Sequence, residues 1–427
     1  MNRVFVLDTD RKPLMPCSPA RARRLLRDGK AAVYRMQPFT IILKYRVDPN
    51  PQPVEFKVDP GSKITGLALV GNFPQQGRVV LWAANLTHRG YAIRERLASR
   101  RSLRRGRRGR KTRYRAPRFL NRTKPKGWLP PSLNSRVENV SSWFNRLLDR
   151  VPISECHIET VRFDTQKIQN PEINGVEYQQ GELMGYEVRE YLLEKWDRKC
   201  AYCNKKDIPL EVEHIIPRSR GGSNRVSNLT LARAPCNKKK NSKTAAEFGY
   251  TQIQSKSKLP LKDAAAVNAT RYAIGCTIQS VGLPTSFWSG GRTKKNRISQ
   301  GYTKDHWIDA ACVGESAEQV TITEGYRALH IKATGRGTRQ VVRTDKYGFP
   351  RGKAGRCRRV KGFQTGDLVR LSQPQGKYAG DHVGILASIR ASGTFDVKAK
   401  AGKISANWIN FKLIQRGDGY DYSLSAV

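Results

Sequence analysis

The chain has 427 residues, and its apolar fraction of 38% is low for one large core, so roughly two to four domains are expected. Lys and Arg number 79 against 35 Asp and Glu, a formal charge of +44. So one-sided a balance repels itself in the compact state, which argues against a merely soluble basic surface and points to a polyphosphate partner, nucleic acid.

No run approaches membrane-spanning length and no N-terminal apolar stretch resembles a signal peptide, so a cytoplasmic location away from membranes is expected. Of the eight cysteines only Cys200 and Cys203 are closely paired, which favours a metal knuckle over a disulfide framework.

In chain order, residues 4–7 read as a strand and Lys12-Pro13-Leu14-Met15-Pro16 as a turn. Ser18-Pro19 is an N-cap followed by a first-turn proline, opening a helix over 20–28 that stops at Gly29. Strands near 32–35 and 40–46 complete a small β-α-β-β unit, and the proline-rich segment 48–53 leads out of it.

Residues 54–59 then read as a strand ending in Asp59. Pro60-Gly61-Ser62 turns, and 64–70 and 79–84 return as apolar strands, the opening hairpins of a mixed sheet. An Asp at a strand end beside a glycine turn is held rigidly with one side open, which suits a metal ligand.

Segment 94–118 holds twelve arginines and one lysine: Arg94, Arg96, Arg100, Arg101, Arg104, Arg105, Arg107, Arg108, Arg110, Arg113, Arg115 and Arg118, with Lys111. Composition alone also fits a disordered arm. Ile93, Leu97 and Leu103 among good helix formers favour a long helix bedded in RNA or a heteroduplex, its arginine forks gripping phosphates.

Leu133, Val137, Val140, Phe144, Leu147 and Leu148 recur at helical spacing, and a strand over 155–160 carries Glu159. Helices are expected over 263–279 and 303–315, the second placing His306 and Asp309 one turn apart on one face. Gly290-Gly291 and the basic stretch through Arg297 read as a loop, and Gly181, Gly185 and Gly249 as hinges. From about residue 326 short alternating runs at 367–371, 383–389 and 394–399 suggest a small open β-barrel.

The richest chemistry lies in CAYCNKKDIPLEVEHIIPRSRGGSNRVSNLTLARAPCNKKK, residues 200–239. Glu211-Val212-Glu213-His214 is a strand with both acids on one face, Asn228 lies in the returning strand or loop, and Asn237 opens a lysine-rich helix. A His of suitable pKa activates water there, while an acid and an amide oxygen hold one divalent ion. Cys200, Cys203 and Cys236 offer three thiolates to a structural Zn²⁺ that ordinarily takes four ligands; the expected fourth position is Arg233, so metal-free cysteines are the alternative. A second constellation, Asp59, Glu159, His306 and Asp309, stands on two strands and a helix, where three carboxylates can clamp two Mg²⁺ ions.

At these residues the chain resembles IscB, the transposon-associated RNA-guided DNA endonuclease related to the type II CRISPR effector. Lys12–Pro16 and the following helix are similar to the family's PLMP domain (1–53). VDPGSKITGLAL resembles RuvC segment I (54–92), the arginine run the bridge helix (93–122), HIET segment II (123–189) and DHWIDAA segment III (251–322). HNH then occupies 190–250, and 323–427 is similar to the module that contacts guide RNA and a target-adjacent motif.

The resemblance implies an α/β and α+β multidomain chain: an RNase H-like RuvC domain with an inserted ββα-metal HNH domain and a C-terminal β-barrel-like module. Its roles carry over to Asp59, Glu159, His306 and Asp309 with two Mg²⁺, and to Glu213, His214 and Asn237 with one. The implied partners are a structured guide RNA and double-stranded DNA with a short adjacent motif, one protein copy serving the ribonucleoprotein. HNH would cut the guide-paired strand and RuvC the displaced one. A protein-only HNH homing or recombination nuclease and a decayed RNA-binding scaffold are the competing readings.

Overall fold

The computed structural model describes residues 3–48, 50–108, 128–160, 189, 191–193, 195–206, 208–258, 264–335, 342, 345–347, 349–352 and 359–424. Among them it is a mixed α/β, multidomain chain with separate hydrophobic cores.

The first unit is a four-stranded sheet of β1 (Val4–Leu7), β2 (Pro13–Cys17), β3 (Ala31–Arg35) and β4 (Thr40–Leu43), in the order β2-β1-β4-β3, with helix α1 (Pro19–Arg27). Ser18 Oγ caps α1 by accepting from the Arg21 N–H, and Gly29 ends it at φ +68°. The Pro13–Pro16 segment, expected as a turn, is the edge strand β2, so the unit is ββαββ. The reversal comes earlier, where Asp8 accepts the Lys12 N–H at 2.8 Å and Arg11 sits at φ +63°. Prolines that lack a donor are tolerated on an edge strand.

The central sheet begins with β5 (Val54–Asp59), β6 (Ile64–Phe73) and β7 (Gly77–Thr87), an antiparallel meander. Helices α2 (Gly90–Arg108) and α3 (Pro131–Leu148) follow, and β8 (Ile153–Glu159) returns parallel to β5. The next module interrupts the sheet: β9 (Glu211–His214) and β10 (Leu229–Ala232) form an antiparallel pair, followed by α4 (Ala234–Lys240) and α5 (Thr251–Lys258). Helix α6 (Ala264–Gln279) leads to β11 (Thr285–Trp288), which pairs parallel with β8.

Helices α7 (Gly290–Ser299) and α8 (His306–Ala311) come next. The stretch through Arg297 is thus helical rather than a loop: Ser289 caps α7 by accepting the Arg292 N–H at 3.4 Å, and its glycines sit at the helix start. Helix α8 is shorter than 303–315 because Asp305 caps it and Gly314, at φ +96°, lies beyond its end.

Short β12 (Val320–Thr321) and β13 (Leu329–Ala333) both pair with β7. A five-stranded antiparallel sheet follows: β14 (Leu368–Gln373), β15 (Gly380–Ile389), β16 (Thr394–Ala399), β17 (Gly402–Asn407) and β18 (Phe411–Gln415), in the order β17-β16-β15-β14-β18 around Val369, Leu371, Phe395 and Val397. The last strand, β19 (Tyr420–Leu424), leaves that sheet and pairs with β13, so the central order is β11-β8-β5-β6-β7-β13-β19.

Alternation divides the faces of the central sheet. Val54, Phe56 and Val58 of β5, with Cys156 and Ile158 of β8, join one apolar core with Val140, Trp143 and Phe144 of α3 and Ile274 and Ile278 of α6. On the other face, Ala68, Val70 and Ala83 pack against Trp307, Ile308, Ala310 and Ala311 of α8. The β5 and β8 residues on that face are ionisable.

Candidate active sites

Asp59 and Glu159 end neighbouring parallel strands and stand together at one sheet edge, each about nine-tenths buried. Helix α8 brings His306 and Asp309 over that edge. Its close approach depends on Gly66, the register partner of Asp59 on β6: a Cβ there would lie 1.8 Å from the His306 carbonyl oxygen. Asp305 fixes the helix start, accepting from the His306 N–H at 2.7 Å and from Asn85 Nδ2 at 2.8 Å.

Cations rim the acids. His306 Nδ1 is 3.7 Å from Asp59 Oδ2, and Arg271 Nη2 is 3.5 Å from Glu159 Oε1 while its Nε donates to the Pro60 carbonyl. Arg297 Nε lies 2.8 Å from Asp309 Oδ1, at ion-pair distance but without hydrogen-bond geometry.

Burial, and after it the Asp59 charge, push Glu159 up to about 8 and Asp309 up to about 6. Burial alone would raise Asp59 too, but the His306 ring beside it holds that carboxyl below the usual range. His306, which burial would lower, is raised in return by Asp59. The acids therefore titrate as one coupled set, with Glu159 and Asp309 raised and Asp59 lowered. Three carboxylates facing one another suit a hard divalent cation such as Mg²⁺. They are spread more widely than the tight donor groups of the described residues, which are Cys200/Cys203/Cys236 and Glu55/Glu155/His157, each within 4.8 Å.

The second candidate site is local. In the β9–β10 pair Glu213 is buried, and its carboxylate accepts from Tyr202 Oη at 2.6 Å and from the buried Lys240 Nζ of α4 at 2.5 Å. Lys240 also donates to the His214 carbonyl at 2.8 Å, tying the strand to the helix. Asn237 Nδ2 donates to Glu211 Oε2 at 3.0 Å. The acid beside Asn237 is thus Glu211, which the motif alone did not single out; its signal was the alternation Glu211-x-Glu213.

His214 faces the other way, with Nε2 2.9 Å from Asn224 Oδ1; donation to that oxygen leaves Nδ1 as the basic nitrogen. Asn228 secures the loop that carries Asn224. Its Oδ1 accepts from the Ile216 N–H at 2.9 Å, and its Nδ2 donates to the carbonyls of Ile216 at 3.0 Å and Ser223 at 2.9 Å.

At the three thiols, Arg233 Nε approaches Cys236 Sγ at 3.2 Å and the Arg233 N–H approaches Cys200 Sγ at 3.5 Å. The donor set fits Zn²⁺ with three protein ligands, and the guanidinium at the fourth corner cannot ligate.

Arg94, Arg96, Arg100, Arg101, Arg104 and Arg105 are exposed along α2. Arg107 and Arg108 end the helix, whereas Arg110, Arg113, Arg115 and Arg118 lie outside the described residues, as do Gly181 and Gly185. A cleft of about 530 Å³ runs between α2, α3 and residues 418–420, with Arg89, Arg96, Arg100 and Arg146 among its walls. Among the described residues no helix is long and apolar enough to cross a membrane.

Two families match the chain: RRXRR protein over residues 4–181 and HNH endonuclease over residues 200–243. No curated protein matches it. Among solved structures it is similar to Streptococcus thermophilus Cas9 in complex with the AGAA PAM, at 14% identity over 60% of this chain and 32% of that one, with a TM-score of 0.21. The same enzyme in complex with the GGAA PAM gives 12% identity, the same coverage and a TM-score of 0.20. The chain spans about a third of that protein's length.

Proposed function

We propose that this IscB-like chain, an RRXRR protein with an HNH endonuclease domain, is an RNA-guided double-strand DNA endonuclease with two cutting centres. The observation that carries this reading is the convergence of Asp59, Glu159 and Asp309 at one edge of the central sheet, with the HNH cassette inserted between β8 and β11. The order β7-β6-β5-β8-β11, antiparallel through β5 and parallel beyond it, supports an RNase H-like RuvC domain.

In the sheet centre Asp59, Glu159 and Asp309 would hold Mg²⁺, and in the hairpin centre Asn237 with the neighbouring Glu211 would hold one ion, because Tyr202 and Lys240 already occupy both oxygens of Glu213. Bound there, Mg²⁺ lowers the pKa of water and stabilises the departing phosphate oxygen. His214 takes the proton of the attacking water at Nδ1, its ring oriented by Asn224. His306, with Nδ1 turned to Asp59, has Nε2 available for the same task. The HNH centre is assigned the guide-paired strand and the sheet centre the displaced strand. The +44 charge and the exposed arginines of α2 favour a structured RNA and a DNA duplex as partners.

The test has two arms. Protein purified from cells expressing its own locus is washed at high salt and its RNA sequenced; a discrete structured RNA is expected, and its absence returns the chain to a protein-only nuclease. With that RNA, Asp59→Ala and His214→Ala are each expected to nick a single strand, on opposite strands. Two cut strands in both variants would overturn the two-centre assignment.

A further inference from the structure

Below Asp59 and Glu159, the same face of β5 and β8 carries a second row of ionisable groups, Glu55 and Lys57 on one strand, Glu155 and His157 on the other. Glu55, Glu155 and His157 bring donor atoms within 4.8 Å of one another, the donor set of a cation site. The cation there is the protein's own. The Lys57 and Glu55 side chains are 0% and 2% exposed and pair at 2.8 Å. Lys57 Nζ also donates to Ser316 Oγ at 2.8 Å and to the Val313 carbonyl at 2.9 Å, so all three ammonium hydrogens are used. Ser316 passes its own hydrogen to Glu55 Oε2 at 2.7 Å, and Arg78 Nε meets Oε1 at 3.2 Å. That saturation leaves Glu55 no oxygen for a metal.

The array does hold a segment of chain. Val313 and Ser316 lie just beyond α8, the helix that carries Asp309. From the other side Asn296 of α7 donates to the carbonyls of Cys312 at 3.1 Å and Gly314 at 2.7 Å, and its neighbour Arg297 pairs with Asp309. Gly314 packs so closely that a Cβ would meet Trp288 Nε1 at 3.3 Å and His157 Nδ1 at 3.4 Å. Residues 312–316 are thereby fixed between β5 and α7.

We propose that Lys57 is a positioning residue of the sheet centre, whose buried ammonium anchors the Val313 carbonyl and so fixes the placement of α8 that brings Asp309 to Asp59 and Glu159. The proposal rests on the reading of those three acids as a metal-holding set. A buried ion pair is seldom worth more than an apolar pair to stability, and its value here is geometric. Lys57 lies on the same strand face as Asp59, so one strand supplies both a metal-holding acid and the anchor for the helix that brings another.

The experiment titrates Mn²⁺ into the full chain carrying Asn237→Ala, which silences the hairpin centre, and reads free Mn²⁺ by electron paramagnetic resonance. Relative to this parent, Asp59→Ala is expected to abolish the remaining binding, and Lys57→Met, which acts only through the placement of α8, to weaken it about tenfold, the low end of what is lost when a group bonded directly to a ligand is removed. Because Lys57→Met strands the Glu55 carboxylate, the paired Glu55→Gln/Lys57→Met variant is measured beside it. It is expected to melt near the parent and to keep the binding deficit. Parent-like Mn²⁺ affinity in that folded variant would overturn the role of Lys57 while leaving the acids in place. Parent-like affinity in Asp59→Ala would remove the underlying reading, and the proposal with it.

Discussion

The two candidate centres are built on opposite principles. The sheet centre gathers Asp59, Glu159 and Asp309 from three distant parts of the chain, and only the packed central sheet and α8 bring them together. The hairpin centre lies within one β-β-α cassette, packed on a separate small core that also draws in Tyr191, Trp196 and Ile253. Charge is balanced differently as well. Around the sheet centre Arg271, Arg297 and His306 stand at the rim of acids that repel one another. In the hairpin, Glu213 is already closed by a buried lysine and a tyrosine. A centre assembled at long range should be sensitive to backbone spacing, and one assembled locally to loss of its internal ion pair.

The largest separation is expected from Gly66→Ala. A methyl 1.8 Å from the His306 carbonyl oxygen must displace α8. Misplacement by about 1 Å is enough to cost roughly a hundredfold in rate. Displaced-strand cleavage should fall at least that far while guide-paired-strand cleavage holds, as strand-resolved gels would show; equal loss on both strands would dissolve the distinction. Next comes Lys240→Met, which leaves Glu213 buried without its cation at a cost of about 3–5 kcal/mol. Hydrogen exchange should report lost protection in β9 and α4 with β5 and β8 unchanged, and Glu213→Gln/Lys240→Met should recover most of it. Protection unchanged throughout would mean that the pair does not hold the cassette.

The same contrast explains what could be read in advance. The placement of Asp59 and Glu159 was legible because each follows an apolar residue in an expected strand, and that of Asp309 because it follows His306 at helical spacing. The Pro13–Pro16 segment misled because proline most often marks turns, and only the partner β1 shows it to be an edge strand. Gly290-Gly291 misled similarly: beyond the local Ser289 cap, α7 is held by Asn296 and Arg292, whose partners lie in residues 312–318 packed against it. The return of β19 to β13 was out of reach of local pattern, since it joins segments separated by an entire five-stranded sheet. Lys57 was hidden for a related reason, because a lysine in a strand gives no sign of the carbonyl it will meet.

The smallest effect tests the charge contrast itself. Glu159 at about 8 and Asp309 at about 6 lie above their ordinary values of 4.5 and 3.8, so the ion-free folded centre keeps protons that the unfolded chain releases. Stability of the ion-free protein should therefore fall as pH rises from about 4 through about 8, the sign given by a folded state that binds more protons. Mg²⁺ reverses this by requiring the ionised acids, so its stabilising increment should grow over the same window. Scanning calorimetry with and without Mg²⁺ at pH 6 and pH 8.5 would measure that increment, with Glu159→Gln expected to flatten most of its pH dependence. An increment that is equal at both pH values would mean the sheet acids are not the ones the ion relieves.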